Sequence, residues 1–295
     1  MNSVSATNFG RVMIFLAVLL LAIGKVMFGT WLADFPSPFF VFVSFAITAA
    51  FFLALSRRGA GEKAWGPLLL LNASTALTFL SFFHALKLIE PAIVGAVEIG
   101  IGPILAVGLS AMLTGERPSA LRLVICAGVL AGCAILGLAA LRGSGFASFG
   151  RDAWLGLAAS VAAGVGAVLI TVASKTLLDR GWKFGAVLAH RFYLILPISL
   201  VMTWGTDLGG IEWSGHLIAM LAIVSVLGVL APLYLLQIGI GRCDPYTVMV
   251  TMAALPVLTF VIEGFSPLYS WSWLTGAGLF VVTAFLLLDV TAKRS

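Results

Sequence analysis

The stretches His84-Ala-Leu-Lys-Leu-Ile-Glu-Pro-Ala-Ile-Val94 and Ile238-Gly-Ile-Gly-Arg-Cys-Asp-Pro-Tyr-Thr-Val248 decide how this chain folds, because the second repeats the pattern of the first. In each, an apolar run ends, an acid and a proline follow (Glu90-Pro91, Asp244-Pro245), and a new apolar run begins. Proline suits a first helical turn, where its missing N–H would have had no partner. An acid beside it meets the positive end of the helix dipole. Working outward, a second proline follows in each half (Pro103, Pro256), and Cys126-Ala-Gly128 corresponds to Gly276-Ala-Gly278. One plan is written twice, over residues 1–145 and 146–295. The Gly/Ser-rich stretch Arg142-Gly-Ser-Gly-Phe-Ala-Ser-Phe-Gly-Arg151 joins the copies.

Composition says where those runs live. Of 295 residues, 61% are apolar and only 10% are charged, against roughly 25% charged in a soluble domain. Mean hydropathy is +1.13. A soluble fold leaves about a quarter of its chain surface wet and has no place for so much apolar area. A soluble enzyme, a nucleic-acid-binding domain and a disordered chain are excluded. The apolar blocks are unbroken, without the alternation of a membrane β-barrel. The class is all-α membrane. Ten spans are expected, near 11–32, 38–56, 66–86, 92–114, 120–141, 153–174, 184–204, 215–240, 246–264 and 272–290. The first run is read as a retained helix, since it lacks a small-residue cleavage site and is long enough to span.

The net charge of +5 is topological. With the N-terminus in the cytoplasm, Arg11, Arg57, Arg58, Lys63, Arg117, Arg122, Arg180, Lys183, Arg242, Lys293 and Arg294 fall inside. Only Lys87, Arg142 and Arg151 fall outside, as the positive-inside rule requires. Both termini are expected in the cytoplasm of a bacterial inner membrane. Five spans per half is an odd number, so the second half enters from the opposite face. That makes an inverted repeat, with a site expected near the bilayer midplane. Trp31, Trp154, Trp213, Trp271 and Trp273 sit near span ends, as an interfacial belt does.

The run Pro91-Ala-Ile-Val-Gly-Ala-Val-Glu-Ile-Gly-Ile-Gly-Pro103, followed by Gly115-Glu116-Arg117-Pro118 and Gly128, resembles the repeat signature of the drug/metabolite transporter superfamily. More narrowly it is similar to the ten-helix EamA-type members, and within them to aromatic amino acid exporters of the YddG type. The resemblance covers essentially the whole chain. It departs at Glu263-Gly-Phe-Ser-Pro267, where a Gly-Glu pair is expected. The family's frequent Arg in the second helix of a repeat is matched by Arg191, but the first half has only Phe42-Val-Ser-Phe45. The resemblance implies export of small amphipathic metabolites, aromatic or other amino acids first, by alternating access between the halves.

The candidate substrate-binding residues are those whose polarity or shape is out of place in lipid. Glu98 is an acid well inside an apolar span, where a charge costs about 2.5–3.5 kcal/mol on insertion scales. It must therefore face a cavity or a partner: a substrate ammonium, a proton, or Lys25 on the first span. Phe79 and Phe83 are four apart and share a helix face. With Thr75, Phe82 and His84 they offer an aromatic wall for a planar substrate. Tyr234 and Gln237 can hydrogen-bond a zwitterion from the eighth span. Thr251 opens onto the same depth from the ninth, the expected mate of the Glu98 span. Lys175 is near enough to a span end to snorkel, and Arg191 beside His190 is read as holding helix packing through carbonyls. Gly128-xxx-Gly132 and Gly156-xxx-Ser160-xxx-Gly164 let backbones approach closely.

No P-loop, metal-ligand spacing or G-x-S-x-G elbow appears, so no cofactor, no metal and no enzymatic activity are expected. Three cysteines give no disulfide framework. The expected partners are a small-molecule substrate, the bilayer and protons, not nucleic acid, for a chain acting as a monomer. The rival readings are a multidrug or quaternary-amine exporter, a passive channel and an intramembrane enzyme.

Overall fold

A computed structural model describes residues 3–32, 35–56, 61–62, 64–89, 91–115, 117–143, 151–206, 208, 210–263 and 272–292. The expectations that rest on Glu90, Glu116, the linker residues 144–150, Gly264–Pro267, Trp271 and the basic residues Arg57, Arg58, Lys63, Lys293 and Arg294 lie outside the described residues.

The described chain is helical. Its elements are α1 (Ser3–Trp31), α2 (Ser37–Leu55), α3 (Trp65–Leu88), α4 (Pro91–Gly100), α5 (Gly102–Thr114), α6 (Ala120–Gly143) and α7 (Arg151–Asp179). There follow α8 (Phe184–Ala189), α9 (Ile195–Thr203), α10 (Gly215–Ser225), a π-helical turn at Val226–Leu230, α11 (Ala231–Arg242), α12 (Pro245–Met252), α13 (Ala254–Glu263) and α14 (Trp273–Ala292). Among the described residues, eight continuous stretches are long and apolar enough to cross a membrane. The stretches expected as the seventh and tenth spans are not among them. The stretch 184–204 is broken into α8 and α9, and α14 carries a shorter apolar segment, Gly276–Asp289.

The breaks have local causes. Pro103 has no N–H to offer one turn back, and the helix is interrupted at Ile101 between α4 and α5. The corresponding Pro256 follows a matching interruption at Ala253 between α12 and α13. Before Pro232 the hydrogen-bond ladder widens by one residue, and Ala231 N–H reaches the Val226 carbonyl across the π turn. Asp244 caps α12 as its sequence promises, accepting from Thr247 N–H at 3.0 Å and from Thr247 Oγ1 at 2.6 Å.

α1 lies along α11, and α7 lies along α3; α2 packs on α8 and α9, α6 on α14, α5 on α12 and α4 on α13. Small residues permit the closest approaches. A Cβ on Gly24 would collide with the Cα of Gly228, where α1 crosses the π turn. A Cβ on Gly164 of α7 would stand 2.5 Å from the carbonyl oxygen of Glu98. Gly128 and Gly132 receive Phe285 and Val282 of α14. Outward-facing positions are apolar, and Trp31, Trp154, Trp213 and Trp273 are exposed at helix ends.

Candidate functional site

A cavity of about 110 Å³ lies at the centre of the bundle, among α1, α2, α3, α4, α7, the Arg191 bend, the π turn, α11 and α12–α13. That is several times the ~10–15 Å³ that one water needs on the same measure. Its wall is mostly apolar, and six phenylalanines contribute to it. Phe28 comes from α1, Phe40 and Phe45 from α2, and Phe79, Phe82 and Phe83 from α3. The rings interlock: Phe28 stands 4.6 Å from Phe40 and 5.4 Å from Phe83, and Phe45 stands 4.6 Å from Phe79. Phenylalanine rings present faces and edges without hydrogen-bonding atoms, so this part of the wall offers apolar contact surface.

Three charged side chains reach into this wall. Glu98 on α4 pairs with Lys25 on α1, Oε2 to Nζ at 3.7 Å, and both of these atoms are buried. The separation is an ion pair but exceeds hydrogen-bond length. Lys25 Nζ also lies 4.5 Å from the centre of the Phe82 ring. The third charge is Arg191, 2% exposed. Its Nε–H donates to Thr75 Oγ1 at 2.9 Å, and its guanidinium lies 5.8 Å from the Phe79 ring centre and 6.0 Å from Phe192. Among the described residues, no carboxylate stands within salt-bridge distance of Arg191. In ionised form, two cations (Lys25, Arg191) and one carboxylate (Glu98) leave the cavity with one net positive charge.

Arg191 is placed by the break in its own span. α8 ends at Ala189, and the chain does not resume helix until Ile195. The freed backbone groups are met by Asn72 of α3, whose Nδ2 donates to the His190 carbonyl at 2.9 Å and whose Oδ1 accepts from Tyr193 N–H at 2.8 Å. Thr75 stands one turn further along the same face of α3. One strip of α3 thus repairs the break and orients the guanidinium that the break releases. In the membrane interior such irregular backbone is tolerated where protein satisfies it or it lines a cavity.

Of the eight residues singled out from sequence, Glu98, Lys25, Phe79 and Phe83 line this cavity. The other four do not. His84 is exposed. Tyr234 is 40% exposed and stacks on Phe52 at 5.6 Å. Thr251 turns back to the Thr247 carbonyl at 2.7 Å, while its neighbour Met252 reaches the cavity. Gln237 is fully buried, but it sits outside the lining. Sequence reasoning left out Arg191 as a lining residue, together with Phe28, Phe40, Phe45 and Thr78. The available signal was Arg191 itself, a permanent charge deep in an apolar run. Nothing in the sequence told lining phenylalanines from lipid-facing ones. Lys175 bonds the Gly241 carbonyl at 3.2 Å and pairs with Asp179 at 3.5 Å, away from the cavity. Among the described residues, no three His, Cys, Asp or Glu side chains gather into a metal-ligating group.

Comparison with known proteins agrees with this architecture. Residues 8–138 match the family model described as EamA-like transporter family. A solved structure described only as "Crystal structure of protein" aligns with a TM-score of 0.75 over 98% of this chain and 97% of its own, at 22% identity. That likeness shows the fold. No curated protein matches the sequence.

Proposed function

We propose that this multi-pass membrane protein is a secondary transporter that exports small amphipathic metabolites, aromatic amino acids first, by alternating access. The observation that carries the reading is the shared cavity of Arg191, the Lys25–Glu98 pair and the phenylalanine wall. A zwitterion with a flat apolar side chain needs a cation for its carboxylate, an anion for its ammonium and a ring-lined slot. Arg191 supplies a planar fork of donors that suits a carboxylate. Glu98, held by Lys25 at more than hydrogen-bond length, is available to an incoming ammonium. A net positive cavity repels a quaternary amine, which argues against a cationic-drug exporter.

Alternating access needs two halves that can rock. Support for an inverted repeat of 1–145 and 146–295 comes from the helix contacts, which map onto themselves when the halves are exchanged: α1 on α11 as α7 on α3, and broken α4–α5 on broken α12–α13. The proposal places the chain in a bacterial inner membrane as a monomer, both termini cytoplasmic, with Glu98 as the group through which protons would couple.

The test is counterflow in proteoliposomes. Internal unlabelled phenylalanine or tryptophan is expected to accelerate uptake of the labelled amino acid, as a carrier does and a channel does not. Transport of a quaternary amine without any amino acid would overturn the substrate assignment.

A further inference from the structure

Two of the strips that line the cavity continue past it. On α7, Ala167, Ile170 and Thr171 face the cavity, and Ser174 follows at helical spacing. On α11, Leu233 faces the cavity, and Gln237 lies one turn beyond on the same strip. Both residues are fully buried. Among the described residues, neither the Ser174 hydroxyl nor either polar atom of the Gln237 amide has a hydrogen-bond partner. Buried polar groups are normally paired, and one left unpaired calls for a reason. Here two such groups lie on helices that pack together.

Beyond them the seam reaches the surface of the bundle. Lys175 Nζ crosses from α7 to the Gly241 carbonyl of α11 at 3.2 Å, and its neighbour Asp179 is exposed. Two other strips differ. Past the cavity, α1 presents Val18, Ala17 and Ile14, and on α3 the buried polar side chains Asn72, Ser74 and Thr75 all have hydrogen-bond partners.

We propose that the α7–α11 seam is the route between the central cavity and the end of the bundle that bears Lys175 and Asp179, with Gln237 and Ser174 as an intermediate binding station for the charged end of the transported molecule. This rests on the amino acid transport reading above. A carboxamide and a hydroxyl donate and accept without net charge. They can hold a carboxylate or an ammonium, but more weakly than Arg191 or Glu98, which suits a place that a substrate must leave. Release of Lys175 from Gly241 opens the seam, and the lysine then meets the outgoing carboxylate.

Two measurements test it. In a cysteine-free background (C126A, C133A, C243A), S174C is expected to react with a small charged methanethiosulfonate, and added phenylalanine is expected to slow the reaction. Q237M keeps side-chain length and removes hydrogen bonding. It is expected to hold phenylalanine affinity within about twofold and to melt no lower than wild type, yet to slow phenylalanine counterflow about tenfold, the scale of one lost hydrogen bond to a charged group. An S174C thiol that reacts in no state, or Q237M exchanging at the wild-type rate, overturns the route. An S174C variant that labels, beside wild-type protein that exchanges no amino acid, would overturn the substrate assignment and leave the route standing.

Discussion

Arg11 and Asp289 stand near opposite ends of the chain, yet Arg11 Nη2 donates to Asp289 Oδ2 at 2.9 Å. Tyr246 Oη donates to the other carboxylate oxygen at 3.0 Å, and the Arg122 guanidinium lies 5.1 Å from the Tyr246 ring centre. Four helices, α1, α6, α12 and α14, meet in this one cluster. Asp289 is buried, so its charge depends on these partners.

Removing one member is therefore expected to cost more than removing the pair. Asp289→Ala strands a guanidinium and is expected to destabilise by about 3–5 kcal/mol, the usual cost of breaking a buried pair. The double variant R11M/D289A is expected to recover much of that loss. Thermal unfolding in detergent measures both; a double variant no more stable than D289A would contradict the argument.

Arg191 is expected to carry the carboxylate of the substrate. Arg191→Ala should weaken phenylalanine binding roughly 10–150-fold, from about 1.5–3 kcal/mol per hydrogen bond to a charged group. Arg191→Lys should rescue little, because an ammonium lacks the planar fork. Calorimetric titration reads the affinity, and unchanged binding in R191A would remove Arg191 from the site.

Glu98 is expected to read the ammonium. Glu98→Gln should abolish phenylalanine binding while preserving binding of 3-phenylpropionate, which has the same ring and carboxylate but no amine. Equal loss of both ligands would mean that Glu98 acts only through its pair with Lys25.

The Asn72 bridge makes a prediction that does not involve substrate. Asn72→Leu leaves the His190 carbonyl and the Tyr193 N–H without their partner, at about 1–3 kcal/mol for each unsatisfied group. Hydrogen exchange should rise at Tyr193, and phenylalanine affinity should fall as Arg191 loses its placement. Wild-type protection at Tyr193 would show that the bend holds itself.

The sequence by itself determined the all-helical membrane class and the positions of most spans, and it marked Glu98 and Lys25 as charges in need of a partner. Each of those follows from a local cost: apolar length against a bilayer, or a charge in hydrocarbon. Only tertiary structure decided which residues of an aromatic-rich chain share a cavity, because Phe28, Phe45 and a lipid-facing Phe read alike until helices are placed beside one another. Tertiary structure also turned Arg191 from a packing residue into a lining one, since its direction depends on a break that Asn72, on a different helix, completes. It left Tyr234, Gln237, Thr251 and His84 outside the cavity for the same reason. A helix fixes which residues share a face, but its neighbours fix which way that face looks.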